Sequence, residues 1–252
     1  MKQVGSIIII LLCSNIGNDL FPVSKEISGN TTVESFRRAK KLIKGIYEPR
    51  QLTFYCNCPF ENSRIILNQC DYEPLRNSER AGRLEWEHIV PAYVFGRKFS
   101  AWRKGHPRCV KGEGEHRKRY RGRKCLRKVS KEFKRMEADL YNLVPAIGEL
   151  NGIRSNYPMA MIPKEVRMFG QCDVEISDHR IEPRPEVRGD IARIYFYMAA
   201  AYPKRVRLNR REQKLFRKWS REDPVDEWEF IRVQKIEEIQ GNPNPFVLNH
   251  FH

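Results

Sequence analysis

Glu87 and His88 stand side by side in "LEWEHIVPAY" (84–93), a segment whose Leu84, Trp86, Ile89 and Val90 otherwise read as a buried strand. Phosphodiester hydrolysis has use for such a pair. A water must lose a proton, the charge growing on the phosphoryl oxygens must be neutralised, and the departing 3′ oxygen is stabilised most simply by a divalent cation. Magnesium takes hard oxygen ligands and keeps several waters, so one carboxylate and one amide oxygen suffice from the protein. Glu87 can be the carboxylate. His88 can be the base, because neutral imidazole titrates near working pH. Neighbours on an extended chain project to opposite sides, so the two can act on one phosphate from different directions. Taken alone, the pair is better explained as a strand ending in a polar turn, and the rest of the chain has to decide.

Charge narrows the partner. The 252 residues carry a formal net charge of +16. Between Arg97 and Arg135 stand 17 lysines and arginines against Glu113, Glu115 and Glu132, which leaves the rest of the chain close to neutral. Such a surface fits polyanions, nucleic acid before an anionic membrane surface. In the basic loop 97–128 the candidate phosphate contacts are Arg117, Lys118, Arg119, Arg121, Lys124 and Arg127, with Arg193 a further one on a later helix. The glycines of this segment and its lack of an apolar face argue against a membrane-surface role.

The N-terminal Lys2 and the run Ile7–Cys13 read as an export leader, too short to span a bilayer as a helix. Cleavage then falls between 13 and 29, and the mature domain covers 30–252. Six cysteines remain: Cys56, Cys58, Cys70, Cys109, Cys125 and Cys172. An even number in an exported chain implies disulfides. Cys109 and Cys125 flank most of the glycine- and charge-rich stretch 105–122 and would staple it. The rival is zinc on His106, Cys109, His116 and Cys125. It matches no common structural spacing and needs thiolates that an oxidising compartment disfavours.

The positioning elements follow from periodicity and punctuation. Phe36, Ala39, Leu42, Ile43 and Ile46 give a helix within 32–47. "LTFYC" (52–56) reads as a short strand and "LEWEH" as another. A helix over 130–140 turns Phe133, Met136 and Leu140 inward, and Pro145 sits near the first turn of a short helix that ends by Gly152. Further helices are expected over 190–202, after the capping box Asn209–Glu212, and from Asp223 to Gly241. The class is α+β: a mostly helical single domain with short strands.

Four blocks, "EWEHIVPAYVFG" (85–96), "MEADLYNLVPAIGELNGIRSN" (136–156), "RGDIARIYFYM" (188–198) and "QGNPNPFV" (240–247), occur in that order. Together they resemble the endonuclease I family, periplasmic or secreted non-specific nucleases with a ββα-metal (His-Me finger) active site, over roughly residues 35 to 248. The resemblance implies that His88 is the general base and that Glu87 and Asn151 hold a single Mg²⁺. Without it, Asn151 reads as a helix C-cap before Gly152. It also implies that Asn142 holds the finger loop through backbone hydrogen bonds, and that Cys58 pairs with Cys70 and Cys56 with Cys172. An arginine of the basic loop, Arg123 in "GRKC" or Arg108 in "PRC", is expected on the scissile phosphate, where a bidentate guanidinium suits the charge. Phe230 and the terminal "LNHFH" stand where such nucleases carry cysteines, and Pro243 stands where a histidine is expected.

The expectation is therefore an exported, monomeric, Mg²⁺-dependent endonuclease without a transmembrane anchor. Its substrates are double- and single-stranded DNA, with RNA left open, and its products carry 5′-phosphates. Phosphate contacts carry no base information, so sequence preference should be slight. The alternative is a non-catalytic exported binder of DNA or acidic polysaccharide. That protein would need the basic loop but not the set Glu87, His88 and Asn151.

Overall fold

A computed structural model describes residues 27–164 and 166–250; the expected leader run Ile7–Cys13 and the terminal His252 lie outside them. The strand Leu84–His88 forms where its alternation placed it. It pairs antiparallel with Leu143–Ile147, with Leu84 opposite Ile147, Trp86 opposite Pro145 and His88 opposite Leu143. The helix Gly148–Arg154 follows at once, completing a strand–strand–helix finger.

Pro145 is thus in a strand, not in the first turn of a helix. "LVPAI" is buried at every position, and a short apolar run of this kind has no period that separates strand from helix. A two-stranded sheet also tolerates the proline, because the missing N–H need not belong to the ladder. Its carbonyl points away from Trp86 and accepts from the Phe54 amide at 2.8 Å. The "LTFYC" strand is likewise absent: Leu52 makes one bridge to Pro59, and residues 54–56 turn, closed by Asn57 N–H donating to the Thr53 carbonyl at 2.9 Å.

Helices back the finger. Phe36–Ile46, Lys131–Glu137, Arg188–Ala201, Arg210–Glu222 and Glu227–Gln240 form close to their expected places. The capping box is present, with Asn209 accepting from the Arg211 and Glu212 amides and Glu212 reaching back to the Asn209 amide. Gly241 ends its helix at φ 76°, in the left-handed region glycine favours. Two polar nodes fasten the finger to this layer. Buried Asp139 accepts from Tyr197 Oη at 2.8 Å, Tyr202 Oη at 2.7 Å and Gln240 Nε2 at 3.2 Å. Arg232 donates to the carbonyls of Leu140, Tyr141 and Leu143. Among the described residues no helix is long and apolar enough to cross a membrane.

The basic segment is more ordered than a bare loop. Helices Ser100–Lys104 and Arg123–Val129 frame a small hairpin, Val110–Lys111 paired with Lys118–Arg119. Cys109–Cys125 crosses its base, and Cys58–Cys70 and Cys56–Cys172 form as expected. Cys109 and Cys125 are both wholly buried, so their bridge excludes the zinc arrangement. Closing 16 residues of chain removes about 3 kcal/mol of unfolded-state entropy. Cys109→Ser/Cys125→Ser should lower the unfolding free energy in denaturant titration by about that amount; an unchanged midpoint would show that the hairpin is held by other contacts.

Candidate active site

Glu87, His88, Asn151 and Arg123 line one cleft of about 970 Å³. Its base is the finger, and helix Phe36–Ile46 contributes a wall of cations.

Glu87 is held by one of its two oxygens. Oε1 accepts from Arg154 Nη1 at 2.7 Å and from Tyr55 Oη at 3.2 Å. Oε2 is buried with no hydrogen-bond partner. Burial raises the Glu87 carboxyl above its ordinary range, against the pull of the Arg154 charge and the Tyr55 hydroxyl. Arg154 does more than neutralise. It also donates to the carbonyls of His88 at 2.8 Å and Ile89 at 2.7 Å, so one guanidinium fixes both the acid and the backbone that carries the imidazole. Both side chains of the pair are 1% exposed.

His88 Nε2 lies 2.8 Å from the Glu137 carbonyl. A carbonyl can only accept, so Nε2 carries the hydrogen and Nδ1 keeps its lone pair. Burial pushes the imidazole pKa down to about 3, helped by the Arg123 charge, while the bond to Glu137 pulls upward. The ring packs on Phe36 with centroids 4.9 Å apart.

Asn151 sits inside a helix that continues to Arg154, so the C-cap reading fails. Its Nδ2 donates to Glu85 Oε2 at 2.8 Å. Glu85 is itself clamped by Arg80, through Nε and Nη2 at 3.0 Å each. Asn151 itself lines the cleft. Asn142 does what was expected of it: Oδ1 accepts from the Val90 amide at 2.7 Å and Nδ2 donates to the Val90 carbonyl at 3.0 Å, closing the loop after the strand.

The donor set is two oxygens, one of them an orphaned buried carboxylate oxygen. That fits a hard cation that keeps most of its water shell. No group of three or more His, Cys, Asp or Glu able to hold a metal occurs among the described residues.

The arginine candidates separate sharply. Arg123 Nε donates to Glu137 Oε1, yet its Nη2 is buried without a hydrogen-bond partner. Arg108 is exposed beside His106 and does not line the cleft, which corrects it as a candidate. Arg193 is also corrected. It is 2% exposed, its Nε lies 2.8 and 2.9 Å from the two Glu229 oxygens and its Nη2 3.2 Å from Asp190, so it cannot meet a ligand. Arg127 Nε donates to Glu137 Oε2 at 2.7 Å, and Lys124 lies 5.6 Å over the Tyr120 ring. Arg117, Lys118, Arg119 and Arg121 are exposed on the hairpin, outside the cleft.

Sequence reasoning missed Arg154, Glu137 and Glu85. Arg154 lay three residues beyond Asn151 within a block already singled out, and nothing in its spacing marked it as buried. Glu137 serves twice, its carbonyl orienting His88 and its carboxylate holding Arg123 and Arg127.

The sequence matches the endonuclease I family over residues 38–250. An extracellular deoxyribonuclease of Aeromonas hydrophila is 37% identical over 222 residues, 85% of this chain and 88% of its own. A periplasmic deoxyribonuclease of the same organism is 38% identical over 221 residues, 85% of each chain. Endonuclease-1 of Buchnera aphidicola subsp. Acyrthosiphon pisum (strain APS) is 38% identical over 226 residues, 87% of this chain and 82% of its own. The chain belongs to the endonuclease I family.

Breaking a buried ion pair by removing one partner strands the other charge, at a cost of about 3–5 kcal/mol. Arg154→Met should therefore destabilise by about that amount in chemical denaturation, and adding Glu87→Gln should restore much of the loss. Equal losses in the single and double variants would mean that the guanidinium acts only through the two backbone carbonyls.

Proposed function

We propose that the protein is an exported, monomeric, Mg²⁺-dependent endonuclease that hydrolyses DNA phosphodiester bonds with little sequence preference, leaving 5′-phosphate ends. RNA, which carries the same backbone charge, is the second polymer to test. The carrying observation is the convergence in one basic cleft of an orphaned carboxylate oxygen, an imidazole nitrogen with its lone pair free, and an arginine Nη2 without a partner. The extracellular and periplasmic deoxyribonucleases among the relatives support DNA and export, and three disulfides suit an oxidising compartment.

His88 Nδ1 takes a proton from the water that attacks phosphorus, while Nε2–H donates to Glu137 and spreads the charge the ring acquires. Arg123 Nη2 donates to a non-bridging oxygen as its charge grows. Glu87 through Oε2 and Asn151 through its amide oxygen would hold Mg²⁺, which when bound stabilises the departing 3′ oxygen. The bond from phosphorus to the 3′ oxygen breaks, the leaving oxygen takes a proton from solvent water and the attacking oxygen stays on phosphorus, which gives a 3′-hydroxyl and a 5′-phosphate. Exposed lysines and arginines position the backbone without reading bases.

Plasmid nicking with Mg²⁺ and with EDTA, followed by end-group analysis, tests the reading. Oxidised protein that leaves DNA intact in Mg²⁺ would turn it into a binder. His88→Ala should lower kcat by about 10²–10⁴-fold with DNA binding retained; loss of folding instead would make His88 structural. Because its pKa is lowered, the imidazole stays unprotonated as pH falls past its ordinary value of 6.5 and gains its proton only towards 3. With Mg²⁺ saturating, kcat/KM should hold level as pH drops through 6.5. A limb titrating at that value would assign it to an unburied histidine.

A further inference from the structure

Helix Phe36–Ile46 holds Arg37, Arg38, Lys40, Lys41 and Lys44 and no acid. Its stripe of Ala39, Ile43 and Ile46 is buried, and Arg37, Lys40, Lys41 and Lys44 stand exposed along the cleft. At 3.6 residues per turn these four fall within an arc of about 100°, whereas Arg38 does not line the cleft. Arg37 with Lys41, and Lys40 with Lys44, are like-charge pairs at i,i+4, a spacing that costs a helix stability. The nearest acid in sequence, Glu34, is taken by Lys131 and Arg135. Four cations are thus gathered on one face, and among the described residues none of them is ion-paired to a carboxylate. An anion supplied from outside would offset the repulsion.

The face is also aimed. Phe36, at the start of the helix, packs on His88 and lies under the Arg123, Arg127 and Lys40 cations at 5.4, 5.6 and 5.3 Å. The ladder therefore begins beside His88 and runs along the cleft wall towards Trp86, on which Tyr47 at the far end of the helix packs at 5.6 Å. From Arg37 to Lys44 it extends about 10 Å at 1.5 Å per residue. One strand of DNA presents a phosphate about every 3.4 Å along the helix axis, so the ladder spans about three.

Resting on the nuclease reading above, we propose that Arg37, Lys40, Lys41 and Lys44 form a rail that grips about three consecutive phosphates of the cut strand, to one side of the scissile bond. The rail tracks a single strand, so it serves duplex and unpaired DNA alike. The exposed hairpin Val110–Arg119 lies outside the cleft and is left to more distant contacts.

The test combines Arg37→Gln, Lys40→Gln, Lys41→Gln and Lys44→Gln in one full-length protein, glutamine being a good helix former. Duplex affinity is measured against salt in EDTA, so that the DNA stays whole. Losing three phosphate contacts flattens the slope of log K on log salt by about 2.7. Between about 50 and about 200 mM salt the wild type should lose about 40-fold more affinity than the variant. The kcat/KM of the wild type should also rise as an oligonucleotide is extended over about three phosphates on one side of the cut, and the variant should lack that rise. An unchanged salt slope with an unchanged length dependence overturns the rail while leaving the nuclease standing. A wild type that neither binds DNA in a salt-dependent way nor cuts it overturns both. Equal melting temperatures of the two proteins exclude misfolding as the cause of a loss.

Discussion

The salt bridge between Arg154 and Glu87 is the constraint on which the rest of the cleft depends. A carboxylate cannot remain ionised in a dry interior unless its charge is offset and its lone pairs are satisfied. Arg154 offsets the charge and takes one oxygen, Tyr55 shares that oxygen, and the second is left bare. One buried guanidinium therefore pulls the acid's proton affinity down against the lift from burial, occupies one of its oxygens, and ties down the carbonyls of His88 and Ile89. Glu87 and the backbone of His88 are held through one side chain. Their relative placement is thus set by the helix Gly148–Arg154 rather than by the strand alone.

A second economy surrounds His88. Glu137 orients His88 through its main chain and Arg123 through its side chain, so the two share one support. Phe36 covers the same assembly from the other side. Its ring is apolar enough to dry the imidazole, and its face is negative enough to hold the neighbouring cations. The lowered proton affinity of His88 has the same origin, burial first and the adjacent positive charges second.

Much of this was legible in the chain. The strand Leu84–His88 announced itself by alternation, the capping box at Asn209 by spacing, and Gly241 by its position after an apolar period. The roles of Glu87, His88, Asn142 and Asn151 came from a resemblance of whole blocks, and the structure brings all four to the finger. Three things were hidden, each for a physical reason. "LVPAI" has no period, so a buried strand passed for a helix turn. Arg193 and Arg154 are both arginines in otherwise apolar stretches. Which one is buried against acids from a distant helix, and which against a carboxylate of the finger strand, depends on contacts 36 and 67 residues away. The cationic face of the helix Phe36–Ile46 vanished because a charge sum over a long segment averages it against acids elsewhere, while a helix sorts charge by face.

Asp139 and Arg232 have a consequence for how freely the active-site motif can be moved. The carboxylate of Asp139 is satisfied by Tyr197, Tyr202 and Gln240, and Arg232 reaches over from the last long helix to three carbonyls at the entry to the second strand. Cut out as residues 84–154, the motif would keep Glu87, His88, Arg123 and Asn151. It would also expose on its underside an acid left with the Tyr141 amide after losing Tyr197, Tyr202 and Gln240, and the Tyr141 and Leu143 carbonyls without Arg232. The strand–strand–helix finger is accordingly not a portable cassette: any transplant into another scaffold has to bring a matching polar floor with it.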